Sequence, residues 1–322
     1  MPFTIIEDQF YGGMAEVEMQ QADLFNAGSN NTMRIIPREH IGDFSKEAFF
    51  TEEANIVNRR DITVNTDGAT TELDSDELIG VKLYRRFQYE KKLTDIKRIG
   101  FTENEYSFFV GQQIAKAKMV EILNTGLLGL ATCLSISADN SISIVGDTPE
   151  TLNYDSIPSV LAKFGDRAGS LQQIVGHSKP IHDLLGDSFA TETDNVAGMA
   201  LNSGGIPTLG KGLAMTDSDS LVDPTGAGTA PDIASYLTMF LAQNALILEQ
   251  SEEETVVSEE VTGKENIVLR VQGEFGYTIK VKGFGYTSGT ANPAAAALGT
   301  AGNWGQVASD TKSTAGVYIE TA

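Results

Sequence analysis

The stretch TENEYSFFVGQQIAKAKMVEILNTGLLGLATCLS, Thr102 to Ser135, constrains this chain more than any other. Thr102 followed three residues later by Glu105 is a capping-box pattern, in which side chain and backbone satisfy each other's orphan groups. Apolar residues then recur at helical spacing: Tyr106, Phe109, Val110, Ile114, Ala117, Val120, Leu123, Leu127, Leu130 and Leu134. The spacing predicts one helix of about 30 residues, a rod of roughly 45 Å. Gly126 and Gly129 are placed to bend its end. The stripe is not strictly 3.5-periodic and glycine interrupts it, which argues against a coiled coil. A stiff rod must be covered by other parts of the chain, so the fold is organised around it.

On its N-terminal side lie two strand-like stretches, NIVNRRDITVN and ELIGVKLYRRFQYE, with Ile56, Ile62, Val64, Ile79, Val81, Leu83 and Phe87 as apolar markers. The polar segment TDGATTELDSD joins them, which predicts a long β-hairpin. Such a hairpin cannot bury much against itself and needs a neighbour. The first 45 residues contain EVEMQQADLFNAG, readable as a short helix, and NNTMRIIPREHIGDF, extended around Pro37. They show no core of their own and read as an arm. From Thr148 to about Gln250, helical and strand patterns alternate, which predicts an α/β lobe. The end is β-rich, with two strands expected near Gly273 to Tyr277 and a final strand GVYIE.

With 322 residues the chain has room for two domains, and 41% hydrophobic residues suffice for a real core. A formal charge of -21 disfavours a broad nucleic-acid-binding face, because an acidic surface repels phosphate. The lone Cys133 rules out an internal disulfide framework and reads as a buried structural thiol. MPFTIIEDQF has the features of no signal peptide, and no apolar run reaches the ~18 residues of a membrane span. A soluble cytoplasmic protein is expected.

His177, Ser178, His182 and Asp183 lie together in IVGHSKPIHDLL and raise the question of chemistry. Two histidines five apart with Pro180 between them do not share a helix face, so they make a poor metal pair. Ser178 lacks the Gly-x-Ser-x-Gly elbow of a nucleophile. It fits instead as the N-cap of the helix that follows, with Pro180 in the first turn. LGKGLAMTDS lacks the order of a phosphate loop. Asp217, Asp219 and Asp223, and Asp74, Asp76 and Glu77, lack the offsets of a calcium loop. The acidic run EQSEEETVVSEEVTGKE reads as a solvated face. No catalytic residue, metal ligand or cofactor site is assigned.

The order of elements, together with three stretches, resembles the major capsid (coat) proteins of tailed bacteriophages, with the HK97-type fold. The stretches are IVGHSKPIHDLL, GGIPTLGKGLAMTDS and NPAAAALGTAGNWGQVASDTKSTAGVYIETA, the last with an Asn-Pro, a small-residue stretch, Trp304 and a terminal strand. The resemblance spans essentially the whole chain. Where related coat sequences often carry an additional aromatic or His-Pro feature, this chain reads YTIKVKGFGYTSG. No pair here is assigned the covalent Lys–Asn crosslink of the type member.

The resemblance implies an α+β fold of five parts. These are an N-terminal arm (1–45), an extended E-loop hairpin (46–95), a P domain with the spine helix (96–147), an α/β A domain (148–255), and a β return to the P domain (256–322). It implies self-assembly into hexamers and pentamers of an icosahedral head that encloses double-stranded DNA without binding it specifically. Partners implied are a portal and either a separate scaffolding protein or none, with decoration proteins left open and no membrane; the location is the virion, after assembly in the host cytoplasm. Arg59, Arg60, Arg85 and Arg86, basic in an acidic chain, are the expected inter-subunit contacts, and Ser178 the expected helix cap. The rival readings are an encapsulin-like compartment shell of the same fold and a soluble hydrolase using His177 and Ser178.

Overall fold

The computed structural model describes residues 7–50, 63, 75–192, 212–216, 221–223, 235–263 and 265–322. Helix α1 (Glu7–Gly28) leads to β1 (Met33–Pro37), β2 (Phe44–Phe50) and β3 (Ser75–Lys92). The short α2 (Leu93–Ile99) precedes the long α3 (Glu103–Ser135). Then come β4 (Ser141–Ser143), α4 (Ser156–Phe164), β5 (Leu171–His177), α5 (Ser178–Glu192), β6 (Gly212–Thr216), β7 (Val222–Asp223) and β8 (Ser235–Ala242). The chain ends with β9 (Leu246–Val261), β10 (Val268–Val281), β11 (Phe284–Tyr286), α6 (Ala295–Leu298), β12 (Trp304–Gln306) and β13 (Gly316–Thr321).

The capping box forms at the start of α3. The Glu105 amide donates to Thr102 Oγ1 at 3.4 Å, and the Thr102 amide donates to Glu105 Oε2 at 3.0 Å. The helix then runs unbroken for 33 residues, through both glycines expected to bend it. Those glycines are packing positions. A Cβ on Gly126 would sit 2.9 Å from the Leu248 side chain, and one on Gly129 would touch the Trp304 ring at 3.5 Å. The helix is also long and apolar enough to cross a bilayer, although polar residues interrupt its apolar run. Yet 67% of that apolar window is buried within the chain's own fold, as in a core helix. The buried face of its first half runs through Tyr106, Val110, Ala115, Met119 and Ile122. Phe109 and Val120, expected on that face, are 44% and 57% exposed.

What covers the N-terminal half of α3 is α1. The expected short helix is 22 residues long, and its Phe10, Met14 and Val17 share a core with Tyr106, Val110 and Ala115. The two helices approach closely because each presents a glycine. A Cβ on Gly111 would meet the Phe10 carbonyl oxygen at 2.3 Å, and one on Gly13 would meet that of Phe108 at 2.5 Å. The arm-like first residues thus have a core, supplied by a helix a hundred positions later.

Two sheets flank this helical layer. In the first, β1 pairs parallel to β9, β9 antiparallel to β10, β10 antiparallel to β3, and β3 antiparallel to β2; β11 and β12 extend it beyond β10. Strand β10 is central because both its faces are covered: Tyr277, Thr278, Ile279, Lys280 and Val281 are all buried. It is one strand of 14 residues where two were expected. Gly273 does not break it, because the Phe87 ring lies over the position, 2.3 Å from where a Cβ would be. The second hairpin strand is found as β3. The expected first strand lies outside the described residues, and the observed partner of β3 is the earlier β2, in register from Phe44–Val81 to Phe50–Ser75.

The second sheet runs β4-β13-β8-β5-β6, with β7 on β8. Strands β5 and β6 are parallel and joined through α5, the crossover unit the alternating pattern predicted. The final strand β13, read with the β return, pairs instead with β8 and β4. The apolar run ASYLTMFLAQNALIL is two strands in different sheets. Asn244, with φ +56°, turns the chain from β8 into β9. Cys133 is fully buried, and burial pushes its thiol well above the usual cysteine range.

Candidate functional site

Strand β3 pairs with β10 only from Val81 onward; Ser75 to Gly80 pair with β2. A two-stranded ribbon therefore leaves the sheet at this point, and a layer of charge fixes its base. Lys280 of β10 donates to Glu249 of β9 at 2.9 Å and to Glu47 of β2 at 2.7 Å. Arg38, just after β1, donates to the same two carboxylates at 3.1 and 2.6 Å. Lys82 of β3 lies 3.4 Å from Glu252 of β9. Lys280 and Glu249 are 3% and 1% exposed.

At that depth an ion pair contributes little net stability, since desolvation offsets attraction, but loss of one partner strands a buried charge. The layer therefore favours one register of ribbon, β1 and sheet, with the buried Lys280 and Glu249 at its centre. The hydrogen bond from Lys280 holds the Glu47 carboxyl below the usual range, against the opposing effect of burial. The hydrogen bond to Glu47 raises Arg38. Burial, reinforced by Lys82, lowers the His40 imidazole.

A second charged cluster ties α1 to the sheet. Lys118 of α3 lies 2.9 Å from Glu18 of α1 and also donates to Glu254 of β9. Burial raises the Glu254 carboxyl, and the Lys118 charge partly opposes that shift. Sequence reading missed Lys82, Lys118, Lys280 and Glu249. The signal was present in YTIKVKG: a lysine inside an apolar strand, on the face opposite Ile279 and Val281, implies a central strand with a buried cation.

Of the four arginines expected at contacts, Arg59 and Arg60 lie outside the described residues. Arg85 Nε donates to Glu121 Oε1 of its own α3 at 2.9 Å, and its guanidinium sits 6.0 Å from the Tyr277 ring centre. Arg86 is exposed on the outer face of the sheet, opposite Glu274 in register, with no ion pair among the described residues.

At the corner of β5 and α5, Ser178 is the first residue of the helix. There the Lys179 amide donates to His177 Nδ1 at 3.3 Å. The imidazole thus accepts from one of the first helical amides. His177 also packs on Tyr236, ring centres 5.0 Å apart. Asp183 accepts from Lys179 Nζ at 3.1 Å. Among the described residues no group of three or more His, Cys, Asp or Glu side chains could hold a metal.

The tail motif is a clasp under α3. Trp304 is buried against Gly129, meets Tyr286 edge-on at 5.2 Å, and donates from Nε1 to the Leu298 carbonyl at 2.9 Å.

This architecture matches solved phage capsids. The chain aligns with the capsid of cyanophage Pam1 at TM-score 0.57 and 13% identity, covering 90% of this chain and 88% of that one. The Ralstonia phage GP4 capsid gives 0.55 at 10% identity, with 91% and 87% covered. The capsid of the myovirus XM1 gives 0.51 at 13% identity, with 91% and 90% covered. No curated protein matches the chain. These likenesses show the fold, the HK97-type capsid fold with α+β content. The family comes from the sequence: the model for major capsid protein 13-like proteins matches residues 2–318, and the chain belongs to that family of phage structural capsid proteins.

Proposed function

We propose that this capsid protein assembles into the hexamers and pentamers of an icosahedral head, enclosing double-stranded DNA without base-specific binding and without catalysis of its own. The observation that carries the reading is the ribbon of β2 and β3, which leaves the sheet from a base fixed by ion pairs to the buried Lys280. A two-stranded ribbon has little independent stability, so a rigidly anchored one is built to be completed by another subunit. Arg86, and Arg59 and Arg60 in the segment between the strands, are the cations proposed to reach acidic groups of neighbours. The -21 charge favours DNA that packs against the wall without adhering to it. A separate scaffolding protein, a portal and decoration proteins complete the proposed particle, built in the host cytoplasm. The five-part division given above is kept in this proposal, with β9 moved to the P-domain sheet and β13 to the sheet of the A domain.

Concentrated protein, alone or with its scaffolding protein, should form uniform polyhedral particles in negative stain, and a monodisperse monomer under both conditions would overturn the reading. Deleting residues 66–74, which spares all of β3, should leave folded subunits that form no closed shells. Normal-sized shells from that deletion would remove the ribbon from the assembly mechanism.

A further inference from the structure

Charged side chains from three elements meet where α1 closes on the subunit. Lys118 of α3 lies 2.9 Å from Glu18 of α1 and also pairs with Glu254 of β9; the three side chains are 6%, 20% and 11% exposed. One ammonium thus faces two carboxylates, and the cluster holds one negative charge in excess, largely withdrawn from solvent. An excess charge at that depth is costly, and two carboxylates sharing a site oppose each other's ionisation. Burial raises the Glu254 carboxyl above its ordinary value, Lys118 opposes the rise, and the Glu18 charge adds to it.

The cluster lines a cleft of about 760 Å³ beside the end of β1, which gives protons a route to it. The other ionisable groups on the wall are Tyr11, Arg38, Glu39 and Glu252. Arg38 is engaged by Glu47 and Glu249, and Glu252 by Lys82. From β10 the site meets Gly276 and the Phe275 ring, 5.3 Å from Lys118 Nζ, neither of them charged. Among the described residues the wall therefore holds no cation left over to cancel the excess.

Helix α1 belongs to neither sheet. Its C-terminal end is tied to β1 by Asn26, which bonds the backbone N–H and carbonyl of Ile35. Its N-terminal part is held by Phe10, Met14 and Val17 and by this cluster. Swinging that part away breaks no strand pairing, the kind of local opening that costs less than global unfolding.

We propose that Glu18, Lys118 and Glu254 form a latch that holds α1 against α3 and β9 most firmly when one proton, drawn from solvent, is bound to the cluster. Docked, Glu254 is buried beside Glu18; released, it returns toward its ordinary 4.5. Docking therefore takes up a proton. The contribution of Glu254 to the hold is full below about pH 4.5 and fades as pH rises through its higher docked value. The latch is a property of the single subunit and holds whether or not shells form.

Hydrogen exchange by mass spectrometry tests it, on the full chain in one assembly state at pH 5 and pH 7.5, corrected for the intrinsic effect of pH. Protection of residues 7–22, relative to the second half of α3, should fall about tenfold from pH 5 to pH 7.5, as for a group displaced by one pH unit. His40 moves global stability the opposite way over that interval, so the two effects separate. Glu254→Gln, held neutral, should keep high protection of α1 at both pH values. Loss of protection in that variant at pH 7.5, the result for a merely structural ion pair, would overturn the proposal. So would equal changes in α1 and α3, which report global unfolding. Glu18→Gln removes the excess charge at a more exposed position and should also flatten the profile; a full pH dependence in either folded variant would overturn the latch.

Discussion

Lys280 and Glu249 show how single residues set the behaviour of this subunit. Both are nearly inaccessible and paired with each other, and each has a half-exposed second partner, Glu47 for Lys280 and Arg38 for Glu249. Lys280→Met or Glu249→Gln alone should destabilise the subunit by about 3–5 kcal/mol, because each leaves a buried charge with only its half-exposed partner. The double variant should recover most of that loss, measured as a non-additive cycle in urea unfolding. Additive losses would show that the pair is not coupled. At the corner of β5 and α5, His177→Ala should cost about 1 kcal/mol through the lost cap contact. Ser178→Ala should change stability by less than about 0.5 kcal/mol, as for substitutions away from such features. A reversed order in thermal unfolding would return the cap to the serine. The same corner shows a limit of local reading: His, Ser and Pro mark a strand-to-helix corner, but which side chain faces the amides depends on where the strand stops.

The element that orders the fold is α3, and its start was legible residue by residue. Thr102 and Glu105 cap it because both halves of a capping box lie within four positions. Its buried face was read less well. Phe109 and Val120 are apolar at helical spacing yet exposed, while Lys118 is buried. A stripe calculated from one helix cannot know which sides are taken by α1, by the sheet and by the tail clasp. The glycines illustrate this. Gly111 and Gly13 are neutral in sequence terms, yet the backbones of α1 and α3 meet through them. Gly111→Val should therefore push α1 away and destabilise the subunit by about 1–3 kcal/mol, the range for overpacking. Gly12→Val faces open space and serves as the control for helix propensity. Equal effects from the two, in unfolding followed by circular dichroism, would show that α1 does not need the close approach.

For the whole molecule, acid should loosen the junction between ribbon and sheet. Glu47 is held below its ordinary value, so its contribution to stability is full above about 4.5 and fades as pH falls through its folded value. His40 is held below its ordinary value of 6.5 by burial, so protonation favours the unfolded chain and stability falls below that pH. Glu254 runs the other way: burial raises it, and protonation relieves its desolvation as pH falls. The melting midpoint should therefore drop between pH 7 and pH 5 through His40, and further toward pH 4 through Glu47, with Glu254 offsetting part of the loss. His40→Gln should abolish the first part of the drop. A midpoint unchanged from pH 7 to pH 5 in the unaltered chain would show that His40 is not coupled to folding.

The sequence by itself determined the helix and its cap, the second strand of the hairpin, the β5–α5–β6 alternation and the family, because these depend on contacts between near neighbours or on the order of motifs. Only the tertiary structure decided the rest: that residues 7–28 dock on α3, that β13 crosses to the second sheet, that β10 is one central strand, and that ion pairs around the buried Lys280 and Glu249 fix the base of the ribbon. Each of these joins segments distant in the chain. A buried lysine, or a glycine under a neighbouring backbone, differs from an exposed one only in what the fold brings against it.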